Sequence, residues 1–453
     1  MITSRTAALA TPVRSLRYGQ LKTIVLLFGG YAACYYCRAD LSVATPLLVE
    51  ELGRYGVGHG EALVRIGSMT SLGVLAYALG KLFLTGLGDY WGGRRNFLIG
   101  VGGALLFTLC FAAGGGVPVF TLAWVGNRLT QSVGWAGLIK VSSKWFDYSS
   151  YGSIIGILSI SYLVGDAAAR QQMGMLIERG YGWRSLFVFA AIVAAVWLVA
   201  SLLFLRESRA AEGHPEATPN PLNLFAASES RPASAAALLL PLLRSRAFIL
   251  VCALSFACTI IRETFNTWTP MYLRDHLGYS VSESAGVSAI FPGVGVASVL
   301  LAGWASDRLG LNGRALLMFL GLGATAAALV VLMSVRPGAS TSPLAVTLIG
   351  VVAFCLLGPY SYLGGAFALD FGGKQASAAS SGIIDGIGYL GGVLAGDSVA
   401  RVAVAYGWQG VFVSLAAVSA VAAVCAGVLL GLNTRAAHAR AAVATAAAET
   451  TRG

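Results

Sequence analysis

The stretch RADLSVATP at residues 38–46 returns as RETFNTWTP at 262–270, with the arginine and the Thr-Pro at identical spacing. Two more stretches recur in the same order. GLGDYWGGRR (86–95) is echoed by GWASDRLGLNGR (303–314). GDAAAR followed by YGWRSLFVFAA (165–191) is echoed by GDSVAR followed by YGWQGVFVSLAA (396–417). Three ordered echoes, roughly 220–230 residues apart, are improbable by chance and imply two homologous halves.

Composition says what the halves are made of. Of 453 residues, 57% are hydrophobic and only 11% charged, with a mean hydropathy of +0.74; a soluble domain is nearer about a quarter charged. Apolar runs of bilayer-spanning length, about 20 residues, lie near 23–45, 63–88, 97–115, 118–140, 151–175, 184–205, 247–271, 284–305, 315–335, 343–369, 378–400 and 409–431. The short alternating segments of a membrane β-barrel are absent from the sequence. The expected fold is an all-α polytopic membrane protein of 12 transmembrane helices in two six-helix bundles, related by a pseudo-twofold axis along the membrane normal. The bundles span 23–205 and 247–432; a 1–22 tail precedes them, a Pro/Ser-rich solvated linker (206–246) joins them, and an Ala-rich tail (433–453) follows.

The net charge of +11 does not point to nucleic acid. The basic residues of the N-terminal tail, Arg94–Arg95, Lys144 and the five arginines of 206–246 alternate with poorly charged connections. The positive-inside rule then places both termini in the cytoplasm of a cell inner membrane. Cys34 and Cys37 form a C-x-x-C on a membrane helix without metal-type partners, so neither a metal nor a cofactor is expected.

GLGDYWGGRR resembles the G-x-x-x-D-x-x-G-R-R signature that the major facilitator superfamily carries between spans two and three. Asp89, Arg94 and Arg95 are therefore expected to latch neighbouring helices at the gate, with Asp307 and Arg308 as counterparts in the second half.

An ionisable residue inside a membrane is a functional hypothesis by default. Asp166 with Arg170 and Asp397 with Arg401 are four apart and can pair within one helix. Arg128, in RLTQSVG, resembles a facilitator element and is either structural or involved in proton coupling, as are Asp166 and Asp385. Arg38 and Arg262 differ, because the repeat sets them face to face across a central cavity. Lys81 sits mid-span with no acid at i±3 or i±4. Asp40 and Glu263, two and one residues away, do not share the arginines' helix faces and are expected to leave them unquenched. Three incompletely neutralised cations suit a multivalent anion, with arginine forks matching phosphate oxygens. Tyr31, Tyr35 and Tyr77 stand near the same faces and are expected to line the cavity.

FGGYAACYYCRADLSVATPLLVEELG, YALGKLFLTGLGD, QSVGWAGLIKVSSKWF, TWTPMYL, LLGPYSYLGGAFALDFGGKQASAASSGIIDGIGYLGG and YGWQGVF together resemble the organophosphate:phosphate antiporter family over nearly the whole chain. The resemblance implies a rocker-switch exchanger of a phosphate ester, a sugar or glycerol phosphate, against inorganic phosphate, working as a monomer in the bilayer. It assigns the phosphate-binding arginines to Arg38 and Arg262, the helix-two lysine to Lys81 and cavity tyrosines to Tyr31, Tyr35, Tyr77 and Tyr389. Tyr162 stands where the glycerol-3-phosphate transporters carry a cavity histidine, and GWAG replaces the usual G-W-P-P. Two alternatives stay open: a proton-coupled carrier of another organic anion, and a non-transporting sugar-phosphate sensor. No nucleophile–base constellation marks an enzyme.

Overall fold

The computed structural model describes residues 13–84, 92–217, 240, 242–309, 312–338 and 343–450. The first half is built from α1 (Val13–Arg54), α2 (His59–Phe83), α3 (Gly93–Ala113), α4 (Val117–Gln131), α5 (Gly134–Trp145), α6 (Tyr148–Ser159), α7 (Ser161–Glu178) and α8 (Trp183–Phe204). A 3₁₀ turn at Arg209–Glu212 follows. The second half comprises α9 (Arg246–Asp275), α10 (Val281–Ser288), α11 (Ile290–Leu309), α12 (Gly313–Leu332), α13 (Pro343–Tyr360), α14 (Ala368–Leu394) and α15 (Asp397–Thr450). No strand occurs among the described residues.

Eight helical stretches among the described residues are long and apolar enough to cross a bilayer; one of them, 380–435, takes in parts of both α14 and α15. The other expected crossings are α1 and the broken pairs α4–α5 and α6–α7. These three carry Arg38, Arg128, Asp166 and Arg170, so the charges that lower their hydropathy are also their most informative residues.

Two features shape the first helix of each half. Pro46 in α1 and Pro270 in α9 cannot donate to the helix ladder. Beside each, a threonine hydroxyl bonds back to the carbonyl four residues earlier: Thr45 to Leu41 at 2.8 Å and Thr269 to Phe265 at 2.6 Å. The first helix also leaves helical geometry at Cys37 (φ −79°, ψ 18°), one residue before Arg38.

Helix α14 begins directly after a π-helical turn at Leu363–Phe367. Ser381 Oγ donates to Gly364 O at 2.6 Å, although 17 residues of straight helix would span about 25 Å. The chain therefore doubles back between them, which lays the later part of α14 against the π turn.

Small residues set the closest helix contacts, as expected where lipid removes the hydrophobic drive between helices. A Cβ on Gly165 of α7 would lie 2.5 Å from Ala32 O of α1. Between the halves, a Cβ on Gly67 would lie 2.8 Å from Gly396 O.

The halves close on each other at the end that carries the turns after α1 and α9. There Ser42 Oγ donates to Thr267 O at 2.8 Å. Arg274 reaches Glu50 and Pro46 O, His59 pairs with Asp275 at 3.0 Å, and Ser68 donates to Asp397 at 2.6 Å.

One expectation about the connections is corrected. Residues 206–216 are not free linker: Arg209 is buried and pairs with Asp147 at 2.9 Å, while Lys22 pairs with Glu212 at 2.6 Å. The Ala-rich tail continues α15 as helix to Thr450; alanine has the highest helix propensity.

Candidate functional site

A cavity of about 690 Å³ lies between the halves. It sits on the side of Arg262 that faces the chain-terminus end, because its walls include Tyr31, Lys81, Ile155 and Gly364. The tyrosines expected there are all present: Tyr31, Tyr35, Tyr77, Tyr162 and Tyr389. Tyr31 packs against Tyr35 (5.6 Å between ring centroids), Tyr35 against Tyr162 (5.3 Å) and Tyr77 against Tyr389 (4.8 Å). Trp135 and Tyr360 join them. Both had a readable signal, since GWAG and GPYSYLGG put aromatic residues inside the recognised motifs.

Behind this cavity, toward the closed end, lies a second chamber of about 50 Å³. Tyr35 and Arg262 wall both spaces, and Arg38, Ser42, Thr70, Arg128, Asp166, Arg170, Glu263 and Asn266 complete the inner one. Arg38 and Arg262, from equivalent places in the two halves, thus face one chamber. Aromatic rings carry the Arg38 guanidinium: Tyr35 and Tyr77 each lie 4.5 Å away, close enough for cation–π attraction. Its polar partners are Gln131 Oε1 and Tyr35 OH. No carboxylate lies within 4.0 Å of it among the described residues.

The other two cations are not as isolated as helix-face arithmetic suggested. Arg262 Nη2 bonds Glu263 Oε1 directly. Adjacent Cβ atoms do point about 100° apart, but two long side chains curl around that angle once both are buried. The same carboxylate lies 3.8 Å from Arg128 Nη2, so Glu263 serves two arginines. Lys81 pairs with Asp385 at 3.0 Å, 304 residues away on the opposite half, a partner that a search confined to one helix could not find. Tyr389 lies 5.1 Å from the Lys81 ammonium, and Tyr360 lies 4.6 Å from the Arg262 guanidinium.

Asp40 is fully buried; its Oδ1 accepts from Leu41 N at 2.7 Å, and its Oδ2 has no hydrogen-bond partner among the described residues. Asp397 and Arg401 form the expected intrahelical pair at 2.7 Å on an exposed face. Asp166 and Arg170 also pair, at 3.1 Å. Arg170 does more: it donates to Asn266 O (2.6 Å) and Ser288 Oγ (3.1 Å) of the second half.

At the chain-terminus end, Asp89 lies outside the described residues. Arg94 caps α8, donating to Leu205 O (2.7 Å) and Leu202 O (2.8 Å), where a cation suits the helix C-terminus. The acid in this latch is Glu207, which receives Gly93 N, Arg94 N and Lys144 Nζ. Arg95 is exposed. In the second half the Asp307 side chain lies outside the described residues, and Arg308 lies 4.1 Å from the Trp304 ring. The ion pair seen nearby is Arg314–Asp370 at 2.7 Å. Burial acts to raise the Glu207 carboxyl, but Lys144 and the two backbone N–H groups outweigh it and hold it below the ordinary glutamate range. A depressed carboxyl gives stability above its unfolded value and loses it as pH falls through the folded one. Glu207→Gln is accordingly expected to lower the melting temperature by roughly 2 °C at pH 7. The deficit should shrink in acid, as a thermal-shift titration would read.

Two bundles, pinned together at one end and separated by a charged cavity toward the other, define a polytopic membrane transporter. The chain belongs to the Major Facilitator Superfamily, whose sequence model matches residues 17–396. Among solved structures, a D-xylose-proton symporter superposes with a TM-score of 0.71 at 14% identity, covering 90% of this chain and 97% of that one. The "Probable hexose phosphate transport protein" of Chlamydia trachomatis is 24% identical, over 90% of each chain. The "Glycerol-3-phosphate transporter" of Bacillus subtilis is 23% identical, over 87% of this chain and 89% of its own. The "Membrane sensor protein UhpC" of Escherichia coli is 24% identical, over 90% of this chain and 90% of its own. These relatives agree with the resemblance to organophosphate:phosphate antiporters carried by the motifs. The fold is that of transporters, and the hexose phosphate and glycerol-3-phosphate relatives are transporters, not enzymes.

Proposed function

We propose that the protein exchanges a sugar phosphate or glycerol phosphate for inorganic phosphate by alternating access. The observation that carries this reading is the meeting of Arg38 and Arg262, one from each half, at a chamber that ends the tyrosine-lined cavity. Guanidinium groups suit phosphate oxygens bidentately. A ligand gripped by both halves stabilises the arrangement that brings them together, and only such differential stabilisation drives a conformational change. With the termini cytoplasmic in an inner membrane, the closed end is the outer gate and the cavity faces the cytoplasm. A monomer suffices, since both arginines come from one chain.

Liposomes loaded with labelled phosphate test the reading. External hexose phosphate or glycerol 3-phosphate is expected to drive label efflux, whereas sulfate or the unphosphorylated sugar is not. Efflux indifferent to every ester would reject exchange. The similarity to a membrane sensor favours one rival, which would show ester binding in the same liposomes without counterflow.

A further inference from the structure

We infer that the inner chamber is the phosphoryl subsite of this cavity and that Arg128 is a third guanidinium ligand there, held ready by Glu263. The inference rests on the exchange reading above and adds the position of the ligand's charged end. It names a residue, on α4, that lies outside the repeated arginine pair.

Three observations carry it. The first is supply of donors. Arg128 and Arg262 are 4% and 5% exposed, and the Nε of each has no hydrogen-bond partner among the described residues. Buried N–H groups are almost always satisfied, so two orphans on guanidinium groups that line one small space mark a surplus of donors around it. The second is charge. Arg38, Arg128, Arg170 and Arg262 line the chamber against two carboxylates, Asp166 and Glu263. Asp166 is engaged by Arg170, which leaves three guanidinium groups and one carboxylate around the rest. That excess suits a dianion. The third is size. About 50 Å³ accommodates a handful of water-sized atoms at roughly 10–15 Å³ each. A phosphoryl group fits that description, whereas a sugar does not. The organic part of an ester is left in the 690 Å³ cavity among the tyrosines, and free phosphate uses the inner chamber alone.

Glu263 balances part of this charge from within the protein. Its carboxylate binds Arg262 and lies 3.8 Å from Arg128. A phosphoryl group entering the chamber takes over those two guanidinium groups and displaces the carboxylate. Tyr77 and Trp124, with rings 5.3 and 5.8 Å from the Arg128 guanidinium, hold its plane in place.

The test is equilibrium binding of labelled inorganic phosphate to the full chain in lipid nanodiscs, with and without competing ester. Wild-type binding that is lost in Arg38→Ala is the condition for the exchange reading. If wild type fails to bind, that reading falls first. Given wild-type binding, Arg128→Gln is expected to weaken phosphate roughly 10–100-fold, the range for losing a charge-assisted hydrogen bond, with Arg128→Lys in between. Unchanged affinity in Arg128→Gln would mean that Arg128 does not touch the bound phosphate, and would overturn the inference. Glu263→Gln decides the case if Arg128→Gln does not fold. Removing the resident carboxylate is expected to tighten phosphate two- to tenfold, whereas a purely structural Glu263 would leave affinity unchanged or lower it.

Discussion

Arg38→Lys and Arg262→Lys, made separately, are each expected to cut phosphate exchange at least about 100-fold in loaded liposomes while leaving the protein folded. Lysine keeps the charge but loses the planar fork, so two parallel hydrogen bonds to an anion become one movable contact. At about 1.5–3 kcal/mol for a hydrogen bond to a charged group, losing one or two reaches that factor. Arg38 is the more sensitive position. It is held by Gln131, Tyr35 OH and two tyrosine rings rather than by a carboxylate, so its charge is the least compensated of the three cavity cations. Arg262→Lys also breaks the bond to Glu263, leaving that acid to Arg128. Exchange at wild-type rate in either variant would refute the clamp.

A comparable loss is expected far from any charge. At the closed end, a Cβ on Gly67 would sit 2.8 Å from both Gly396 O and the Ala400 side chain, and a Cβ on Gly396 would sit 2.4 Å from Gly67 O. Distances under 3 Å to backbone cannot be relieved by a side-chain rotation. Gly67→Val must therefore push the halves apart at that end, while the packing within each half is left intact. Exchange is expected to fall at least about 100-fold, with Thr267→Cys becoming reactive to a membrane-impermeant thiol reagent from the side that wild type closes. Gly323→Val is the control, since a Cβ there meets nothing within 4 Å. Normal exchange in Gly67→Val would show that the two glycines do not form a gate.

Much of this was legible in the sequence, for identifiable physical reasons. The duplication exposed the two bundles, and the repeated Arg-x₆-Thr-Pro marked matching places on α1 and α9. The intramembrane arginines stood out because hydrocarbon makes charge costly. Aromatic residues at helical spacing from Arg38 and Lys81 pointed to the cavity wall.

What could not be read concerns who neutralises whom. Glu263 was set aside because neighbouring residues diverge on a helical wheel, yet the wheel tracks Cβ directions and not the reach of arginine. Asp385 found Lys81 only through the closeness of α2 and α14, and Glu207 found Lys144 and the start of α3 only after α8 had brought the chain back. Pairing across such distances is a property of the assembled bundle. Irregularities were equally silent: nothing in CYYCRAD signals that α1 breaks at Cys37, between Tyr35 and Arg38.

The two GD-x₃-R repeats carry one more consequence. Arg401 spends its charge at a wet surface, whereas Arg170 is 2% exposed and bonded to Asn266 O and Ser288 Oγ on the far side of the seam. Opening the closed end takes those partners away and gives Arg170 water in exchange. For a buried charge these two terms nearly cancel, because the cost of desolvation is of the same order as the polar interactions that replace water. The seam is thus joined by a bond worth little in net free energy in either direction. A machine that must visit two shapes with similar ease needs a fastener of that kind, one that fixes the geometry of closure without making closure deep.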